Sequence, residues 1–497
     1  MILINKSSWR QFYICCLAYL ILFLTVLLSD RLYIDDIGKS IYGTFGWTSV
    51  GRPLGDVVAY LVTLGRPLVN IAPLPQLISI VIVSYAALNI LRNYQISNPY
   101  MAALCTLPLA GQPYYLENMS YCFDATQWAL TILLSTKAAF YITTSNTGDK
   151  LKGSLCILLT LMLYQPGTSV FFVTCVFIVL RQLDSEYRPF TFVANAITSI
   201  LVFTLIPFLI YFAITRIITL HPYFLAYNKV LPLSKLPVGL YHHLIEYISI
   251  LLKDWGRNLV GLAMGVVALG SFVTFIISVI NNKSNAVNKV FRIILTLLGL
   301  PLIVFASYFP QIILENPICD ARRLMGIGAI LTLSCLQLYS FCSGSYSGNC
   351  AWKKIVMVLP ICFLSYALLV FSFSFARANA SQKDFESYRL ARLGADVEEI
   401  ISDHKPDSIG FIGSIGKSPL LQNTMHKFPL LERLVPVHIA DNWWWGHMQF
   451  KTIGISLESV EVTEDERQSI TNKLPIMDKS LYSIYVYDRK MIVKFKR

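Results

Sequence analysis

The stretch QFYICCLAYLILFLTVLLS, residues 11–29, runs without a polar linker into DRLYIDDIGKS, residues 30–40. An apolar run of this length is long enough to cross a bilayer as one helix. Asp35 and Asp36 therefore leave the membrane at its surface, at the depth of lipid head groups. Such acids are either a solvated helix end or groups that act on a lipid-phosphate-linked substrate, and the arginines that follow favour the second interpretation.

The composition is that of a membrane protein. Of 497 residues, 55% are hydrophobic and only 14% are charged, and the mean hydropathy is +0.57. A soluble chain of this length cannot bury so much apolar surface, so the sequence predicts a mostly α-helical, multi-span membrane protein. The net charge of +12 comes from basic residues in short loops, which fits the positive-inside rule and not nucleic-acid binding.

Cations at the loops predict the topology. Lys6 and Arg10 precede the first span, which places the N-terminus in the cytoplasm and the Asp35–Asp36 loop outside. The apolar runs predict about eleven spans and an external C-terminus. The predicted spans are residues 11–29, 71–91, 99–116, 125–143, a pair within 153–180, and then 190–215, 258–280, 293–314, 324–341 and 355–376.

Residues 153–180 are too long for one span and short for two. Pro166-Gly167 is a strong turn signal, so we expect a hairpin of two short helices broken there. A break at membrane depth is tolerated only where it is buried in protein or lines a cavity. The sequence therefore predicts that Gln165 faces the active cavity.

The predicted domains are a transmembrane domain at 1–376 and a soluble α/β domain at 377–497, because charges become frequent after residue 376. Short strands are predicted at 408–412, 434–438, 483–488 and 491–495. The segment 216–257 is predicted to be a long external loop. The cluster Trp443-Trp444-Trp445 is interpreted either as a platform for a sugar ring or as an ordinary core or surface tryptophan cluster.

The sequence lacks the motifs of several classes of enzyme. It contains no phosphate-binding glycine loop, and its cytoplasmic segments are too short for a nucleotide-binding domain. The histidines lack the spacing of zinc ligands, so we predict neither a metal nor a cofactor.

What remains is a set of acids and arginines in short loops on one predicted face. Most loop charges in membrane proteins are simply solvated, but sugar transfer from a lipid phosphate requires this combination. A carboxylate takes the proton from the attacking hydroxyl, and cations offset charge on the departing phosphate. The candidate residues are Asp35, Asp36, Glu117, Asp124, Asp320, Arg52, Arg66, Arg322 and Arg323.

Four motifs resemble the opening of the serotype-converting O-antigen glucosyltransferases: YIDDIGKS at 33–40, FGW at 45–47, GRPL at 51–54 and PLPQ at 73–76. The resemblance implies a GT-C architecture with the essential acid in the first external loop. It also implies a polyprenyl-phosphate-glucose donor and an O-antigen acceptor at the periplasmic face of the inner membrane. The acidic motif of the family falls on Asp35 and Asp36, and the match leaves open which of them is the base.

Two functions are consistent with these features. The first is a glucosyltransferase that works by one inverting displacement, with Asp35 or Asp36 as the base. The second is a flippase or other transporter of a lipid-linked sugar. A transporter needs ionisable residues within its spans, whereas the predicted spans here are almost free of charge, which favours the enzyme.

Overall fold

The structure, a computed structural model, describes residues 6–94, 96–184, 190–281, 286–343, 351–471 and 473–496. It is mostly helical with a small sheet near the C-terminus, as the sequence predicts. The chain forms two compact units. The first unit comprises residues up to Leu27 with Phe45–Gly65 and Ile71–Phe373, and the second comprises Leu28–Thr44, Arg66–Asn70 and the residues from Ser374 on.

The elements are numbered in chain order. The helices are α1 Lys6–Leu28, α2 Asp35–Tyr42, α3 Pro53–Val62, α4 Leu74–Tyr94, α5 Pro99–Thr106, α6 Pro108–Gly111, α7 Tyr115–Ser120, α8 Ala125–Ile142, α9 Thr147–Leu163, α10 Thr168–Asp184, α11 Phe190–Ile217, α12 Pro222–Tyr227, α13 Leu236–Trp255, α14 Leu259–Asn281, α15 Ala286–Tyr308, α16 Gly326–Ser343, α17 Ala351–His404, α18 Pro419–Lys427, α19 Leu431–Leu434, α20 Trp445–Thr452 and α21 Glu464–Thr471. The strands are β1 Ser408–Ile412, β2 Glu458–Ser459, β3 Met477–Asp478, β4 Tyr482–Tyr487 and β5 Lys490–Phe495.

Within the described part of the chain, eight helices are long and apolar enough to cross a membrane: α1, α4, α10, α11, α14, α15, α16 and α17. The predicted number of about eleven stays a prediction. The run predicted at 99–116 is shorter than expected, because α5 and α6 end at Gly111 and Gln112 is extended. α9 is also short, with 17 residues.

The predicted break at Pro166-Gly167 is confirmed. α9 ends at Leu163, Gln165–Gly167 forms one 3₁₀ turn, and α10 begins at Thr168. The turn is packed tightly against α8, since a Cβ atom on Gly167 would lie 2.6 Å from the Thr131 hydroxyl oxygen. Because Pro166 has no N–H group, it cannot continue α9. The break therefore follows from the sequence and from the close approach of α8.

The predicted long loop at 216–257 is wrong, because it contains α12 and the 20-residue α13. α13 carries His242, His243 and Lys253, which interrupt its apolar run. The segment therefore lacks the sequence pattern of a membrane span. Tyr247 and Trp255 on the same helix are buried. An amphipathic helix with one buried face explains this pattern.

The composition change at residue 377 does not end a helix. α17 continues for 54 residues, and its part up to Phe373 clusters with the first unit and its part from Ser374 with the second. No glycine or proline occurs between Ile361 and Leu393, so nothing in the backbone interrupts the helix there.

The second unit has a five-stranded sheet in the order β2-β1-β5-β4-β3. β1 runs parallel to β2 and β5, while β4 is antiparallel to β5 and β3. The sheet packs on the last turns of α17 through Val397, Ile409, Ile484 and Val493, which are all buried. A strand predicted at 434–438 is wrong, since Pro436 has no N–H group to donate to a neighbouring strand.

Replacement of Gly326 by alanine is expected to destabilise the first unit. A Cβ atom there would lie 2.7 Å from Ser307 Cα and 2.8 Å from its carbonyl oxygen, so α15 and α16 would have to separate. We expect a loss of about 1–3 kcal/mol. In the matched control Gly265→Ala, no atom lies within 4 Å of the new Cβ, so stability should not fall. Thermal unfolding in detergent compares the two; equal melting temperatures would contradict the packing.

Candidate active site

In the first unit, the loop that carries Arg52 is ordered by one carboxylate. Asp56 accepts hydrogen bonds from the backbone N–H groups of Gly46, Trp47 and Thr48, at 3.1, 3.2 and 2.7 Å. The turn ends at Arg52, and Pro53 starts α3, a position at which proline is favourable. The local sequence thus fixes the backbone on both sides of Arg52.

The Arg52 guanidinium lies over the Tyr164 ring, with 4.6 Å between the guanidinium carbon and the ring centroid. The carbonyl of Gly51, the preceding residue, accepts hydrogen bonds from Gln165 Nε2 at 3.0 Å and from the Tyr211 hydroxyl at 2.8 Å. Gln165, predicted to face the active cavity, therefore contacts the Arg52 loop. Tyr211 belongs to an apolar helix, and no sequence pattern marks it.

Arg322 is held by a buried acid. Glu117 is 5% exposed and accepts from the Arg322 backbone N–H at 2.7 Å and from its Nη1 at 3.1 Å. Arg322 also pairs with Asp320 at 3.2 Å and donates to the Tyr121 hydroxyl. Burial would lower the pKa of Arg322, but the contacts with Tyr121, Glu117 and Asp320 outweigh it and raise that pKa. Glu117 thus holds the 3₁₀ turn Ala321–Arg323, the arginine turn, in place.

The Arg52 guanidinium is affected by the positive charges of two other arginines, Arg322 and Arg323. Burial lowers the pKa of Arg52. Contacts with Tyr164 and Asp124 oppose this shift, whereas the positive charges of Arg323 and Arg322 lower the pKa of Arg52 further. Arg323 donates from Nη1 to the Gln311 side-chain oxygen at 2.9 Å. Mutual repulsion among cations at one place is relieved when an anion binds between them.

Asp124 and Trp47 connect this region to α8. Asp124 is 3% exposed and accepts from Trp47 Nε1 at 2.6 Å. Together, the contacts place Arg52, Glu117, Asp124, Gln165, Arg322 and Arg323 in one unit. This arginine cluster, defined as Arg52, Arg322 and Arg323 around Tyr164, has the chemistry of a phosphate site.

In the second unit, Asp35 and Asp36 form the first turn of α2. Carboxylates are stabilised at this end of a helix by the helix dipole. Asp36 is fully buried, whereas Asp35 is partly exposed. The helix follows Ile34, whose φ of 21° is unusual for a branched residue, so the acids lie directly after a constrained backbone position.

The two Gly-Arg-Pro-Leu copies have different structures. Arg52-Pro53 begins a helix in the first unit, whereas Arg66-Pro67 is a cis peptide in the second unit. Arg66 is exposed, and Leu68 N–H donates to the Gly43 carbonyl at 3.0 Å, next to the end of α2. Arg66 therefore lies in the same unit as the acids, and the structure does not group it with Arg52.

The tryptophan cluster borders the acid-bearing helix. Trp444 is 46% exposed, and its ring edge lies 3.5 Å from where a Cβ atom on Gly38 would be. Trp445 packs edge-on against it, with 4.7 Å between the ring centroids. An exposed aromatic ring beside the helix that carries two carboxylates is an arrangement suited to a sugar ring.

A buried polar network also lies in the second unit. Arg31 contacts Glu386 at 2.8 Å, and the backbone N–H of His438 donates to the other Glu386 oxygen at 3.0 Å. Gln449 Nε2 lies 3.0 Å from His438 Nδ1. Burial lowers the pKa of His438, and the positive charge of Arg31 lowers it further, against the opposing effect of Glu386. The sequence does not reveal this network, because Arg31 lies 355 positions from Glu386.

Two comparisons with known proteins find similar sequences. A family model described as Glucosyl transferase GtrII matches residues 24–333, which include all the predicted site residues. A protein of Salmonella phage P22, named "Uncharacterized 55.3 kDa protein in gtrB 5'region", is 22% identical over 496 residues and covers 99% of each chain.

Acid is expected to destabilise the second unit through His438. Because its pKa is lowered in the folded state, the unfolded chain binds a proton at a higher pH than the folded chain does. Stability is therefore complete above the ordinary histidine pKa of about 6.5 and falls as the pH drops below it. Chemical unfolding of wild type and His438→Gln between pH 5 and 8 measures this effect. An equally steep fall below pH 6.5 in the variant would assign the effect to other groups.

Proposed function

The chain belongs to the GtrII glucosyl transferase family, and we propose that it transfers glucose from polyprenyl-phosphate-glucose to the O-antigen repeat of lipopolysaccharide. The observation that carries this proposal is the arginine cluster. Arg52 lies over the Tyr164 ring, and the Tyr164 hydroxyl donates to the Arg322 backbone carbonyl oxygen. Guanidinium groups brought close together in this way suit a substrate that brings a phosphate, and we assign that phosphate to a polyprenyl-phosphate sugar.

In this proposal, the arginine cluster binds the phosphate of the sugar donor. Arg52 is aimed by the Gly51 carbonyl contacts and by Tyr164, and Arg322 is aimed by Glu117. Preorganised cations of this kind stabilise charge that develops on the leaving phosphate without reorganisation during the reaction. A bidentate guanidinium also selects the orientation of a phosphate, which a lysine does not.

Asp35 and Asp36 are the proposed acids that act on the acceptor hydroxyl. In the proposed step, the acceptor hydroxyl oxygen attacks the anomeric carbon of glucose while the bond from that carbon to the phosphate oxygen breaks. Polyprenyl phosphate leaves with the bonding electrons, and the hydroxyl proton passes to one of the two carboxylates. A single displacement inverts the anomeric configuration. Asp35 has exposed surface and Asp36 has none, but either acid remains a candidate for the base.

The proposed orientation has the active site and residues 377–497 in the periplasm and the chain in the bacterial inner membrane. Basic residues at helix ends support it, since Lys150 and Lys152 lie near the start of α9 and Arg181 lies in the last turn of α10, and the positive-inside rule assigns both ends to the cytoplasm. Trp444, exposed beside α2, is proposed to stack on a ring of the acceptor.

Lipopolysaccharide composition tests the function. Lipopolysaccharide from a smooth strain with and without the gene would be compared by mass spectrometry and linkage analysis. The proposal requires one additional glucosyl branch per modified repeat, with its linkage of a single anomeric type. Unchanged O-antigen, together with an altered amount of lipid-linked sugar on one membrane face, would indicate transport instead.

Asp35→Asn and Asp36→Asn are both expected to reduce transfer, and at least one by about 10²-fold or more, the usual effect of losing a general base. An asparagine keeps the size of the side chain but cannot accept the proton. The measurement is the initial rate of transfer per mole of purified protein. Near-normal rates in both variants would rule out the first-loop acids as the base.

Arg52→Lys is expected to lower turnover by about tenfold or more, because one charge-assisted hydrogen bond is worth ~1.5–3 kcal/mol. Lysine keeps the charge and loses the two-pronged fit to phosphate. Arg323→Ala should raise the KM for the donor, whereas Arg322→Ala should also reduce the amount of folded protein, since Glu117 would lose its partner.

Arg392→Lys is the matched control, because Arg392 is an exposed arginine that also lies over a tyrosine ring, Tyr388, at 5.9 Å. Its rate should equal that of wild type. Full activity of Arg52→Lys together with an unchanged donor KM in Arg323→Ala would mean that the cluster does not hold the phosphate.

A further inference from the structure

Arg31 precedes the acid pair by only a few positions and is buried in the second unit. Its guanidinium donates to three groups that come from elsewhere in the chain. The distances are 2.9 Å to Asn379 Oδ1, 2.8 Å to Glu386 Oε2 and 2.6 Å to the Pro436 carbonyl oxygen. A planar guanidinium with three partners in different directions has little freedom to move.

Glu386 is held as firmly as Arg31. Its Oε1 accepts from the His438 backbone N–H at 3.0 Å and from Gln382 Nε2 at 3.1 Å, while its Oε2 faces Arg31. The side chains of Arg31 and Glu386 are 3% and 8% exposed. A buried charge that loses its partner is strongly unfavourable, so the two charges remain together as long as the unit is folded.

Further contacts extend this attachment to the acids themselves. The Tyr33 hydroxyl donates to the Leu434 carbonyl at 2.8 Å, and Tyr33 is buried. Gly38 in α2 approaches the Trp444 ring. The segment that contains Asp35 and Asp36 is therefore held before the acids, at Arg31 and Tyr33, and after them, at Gly38, by residues from the C-terminal part of the chain.

We propose that Arg31 and Glu386 are positioning residues for the transfer reaction. The pair holds the segment 28–44 on the C-terminal part of the second unit and so fixes the direction of the Asp35 and Asp36 carboxylates. This inference rests on the proposed function of those acids. It assigns a part in the reaction to residues beyond 374, which lie outside the range that the family model matches.

The chain contains a natural control for this pair. Asp30 and Lys383, neighbours of the same two segments, also form an ion pair, at 3.2 Å, but their side chains are 88% and 37% exposed. An exposed pair contributes little to structure, whereas a buried one constrains both segments. Comparison of the two pairs separates the buried constraint from a general effect of charge between these segments.

The experiment uses the full chain purified in detergent. Hydrogen–deuterium exchange is measured in wild type, Glu386→Gln and Lys383→Ala, and transfer rates are measured on the same preparations. In Glu386→Gln we expect faster exchange of the amides in residues 35–42 and unchanged exchange in β4 and β5. We also expect kcat to fall at least tenfold while the KM for polyprenyl-phosphate-glucose changes less than threefold.

Lys383→Ala should match wild type in both measurements. A purely structural role of Glu386 would lower the amount of folded protein and leave kcat per folded molecule unchanged, which would overturn the inference. Unchanged exchange of residues 35–42 in Glu386→Gln would also overturn it.

Arg31→Lys provides a milder change for the case in which Glu386→Gln does not fold. Lysine keeps the charge opposite Glu386 but lacks the planar fork whose two nitrogens donate separately to Asn379 and Pro436, so exchange and kcat should change in the same directions by a smaller factor. Unaltered exchange and kcat would count against the inference. The exchange measurement does not depend on the identity of the base, so active Asp35→Asn and Asp36→Asn would refute the proposed mechanism while leaving the attachment of the segment to be judged separately.

Discussion

A charge removed from water needs a partner, and this constraint determines where the polar residues of this apolar chain lie. Glu117 is buried in the first unit and pairs with Arg322, and Glu386 is buried in the second and pairs with Arg31. In each case a backbone N–H group also donates to the carboxylate: that of Arg322 to Glu117 and that of His438 to Glu386. The ion pair and the local backbone conformation therefore hold each other in place. The arginine turn and the acid-bearing segment are both held in this way.

The same physics divides the polar residues into supports and reactants. A residue whose hydrogen-bonding groups are all used by the protein, such as Glu386, supports its neighbours. Asp35, with exposed surface, and Arg52, which lies over Tyr164, are suited to meet a substrate. Glu117 supports Arg322 through its contacts with the backbone and side chain of that arginine, and its predicted place at the substrate site stays a prediction.

Sequence patterns predicted the features that depend on neighbouring residues. The apolar runs, the break at Pro166-Gly167 and the strands near 408–412 and 491–495 are local signals, and the family was recognised from four short motifs. The contact between Arg31 and Glu386 joins residues 355 positions apart and leaves no periodic signal. α13 was missed because an amphipathic helix resembles a loop when only membrane-length apolar runs are sought.

The proposed reaction moves glucose directly from a lipid phosphate to a polysaccharide. Its most direct test reconstitutes the purified chain in liposomes with O-antigen polysaccharide and polyprenyl-phosphate-glucose labelled in the sugar. We expect label to enter the polysaccharide without any nucleotide sugar and polyprenyl phosphate to be released in equal amount. Transfer from labelled UDP-glucose in the absence of the lipid, or movement of the lipid-linked sugar across the bilayer without transfer, would contradict it.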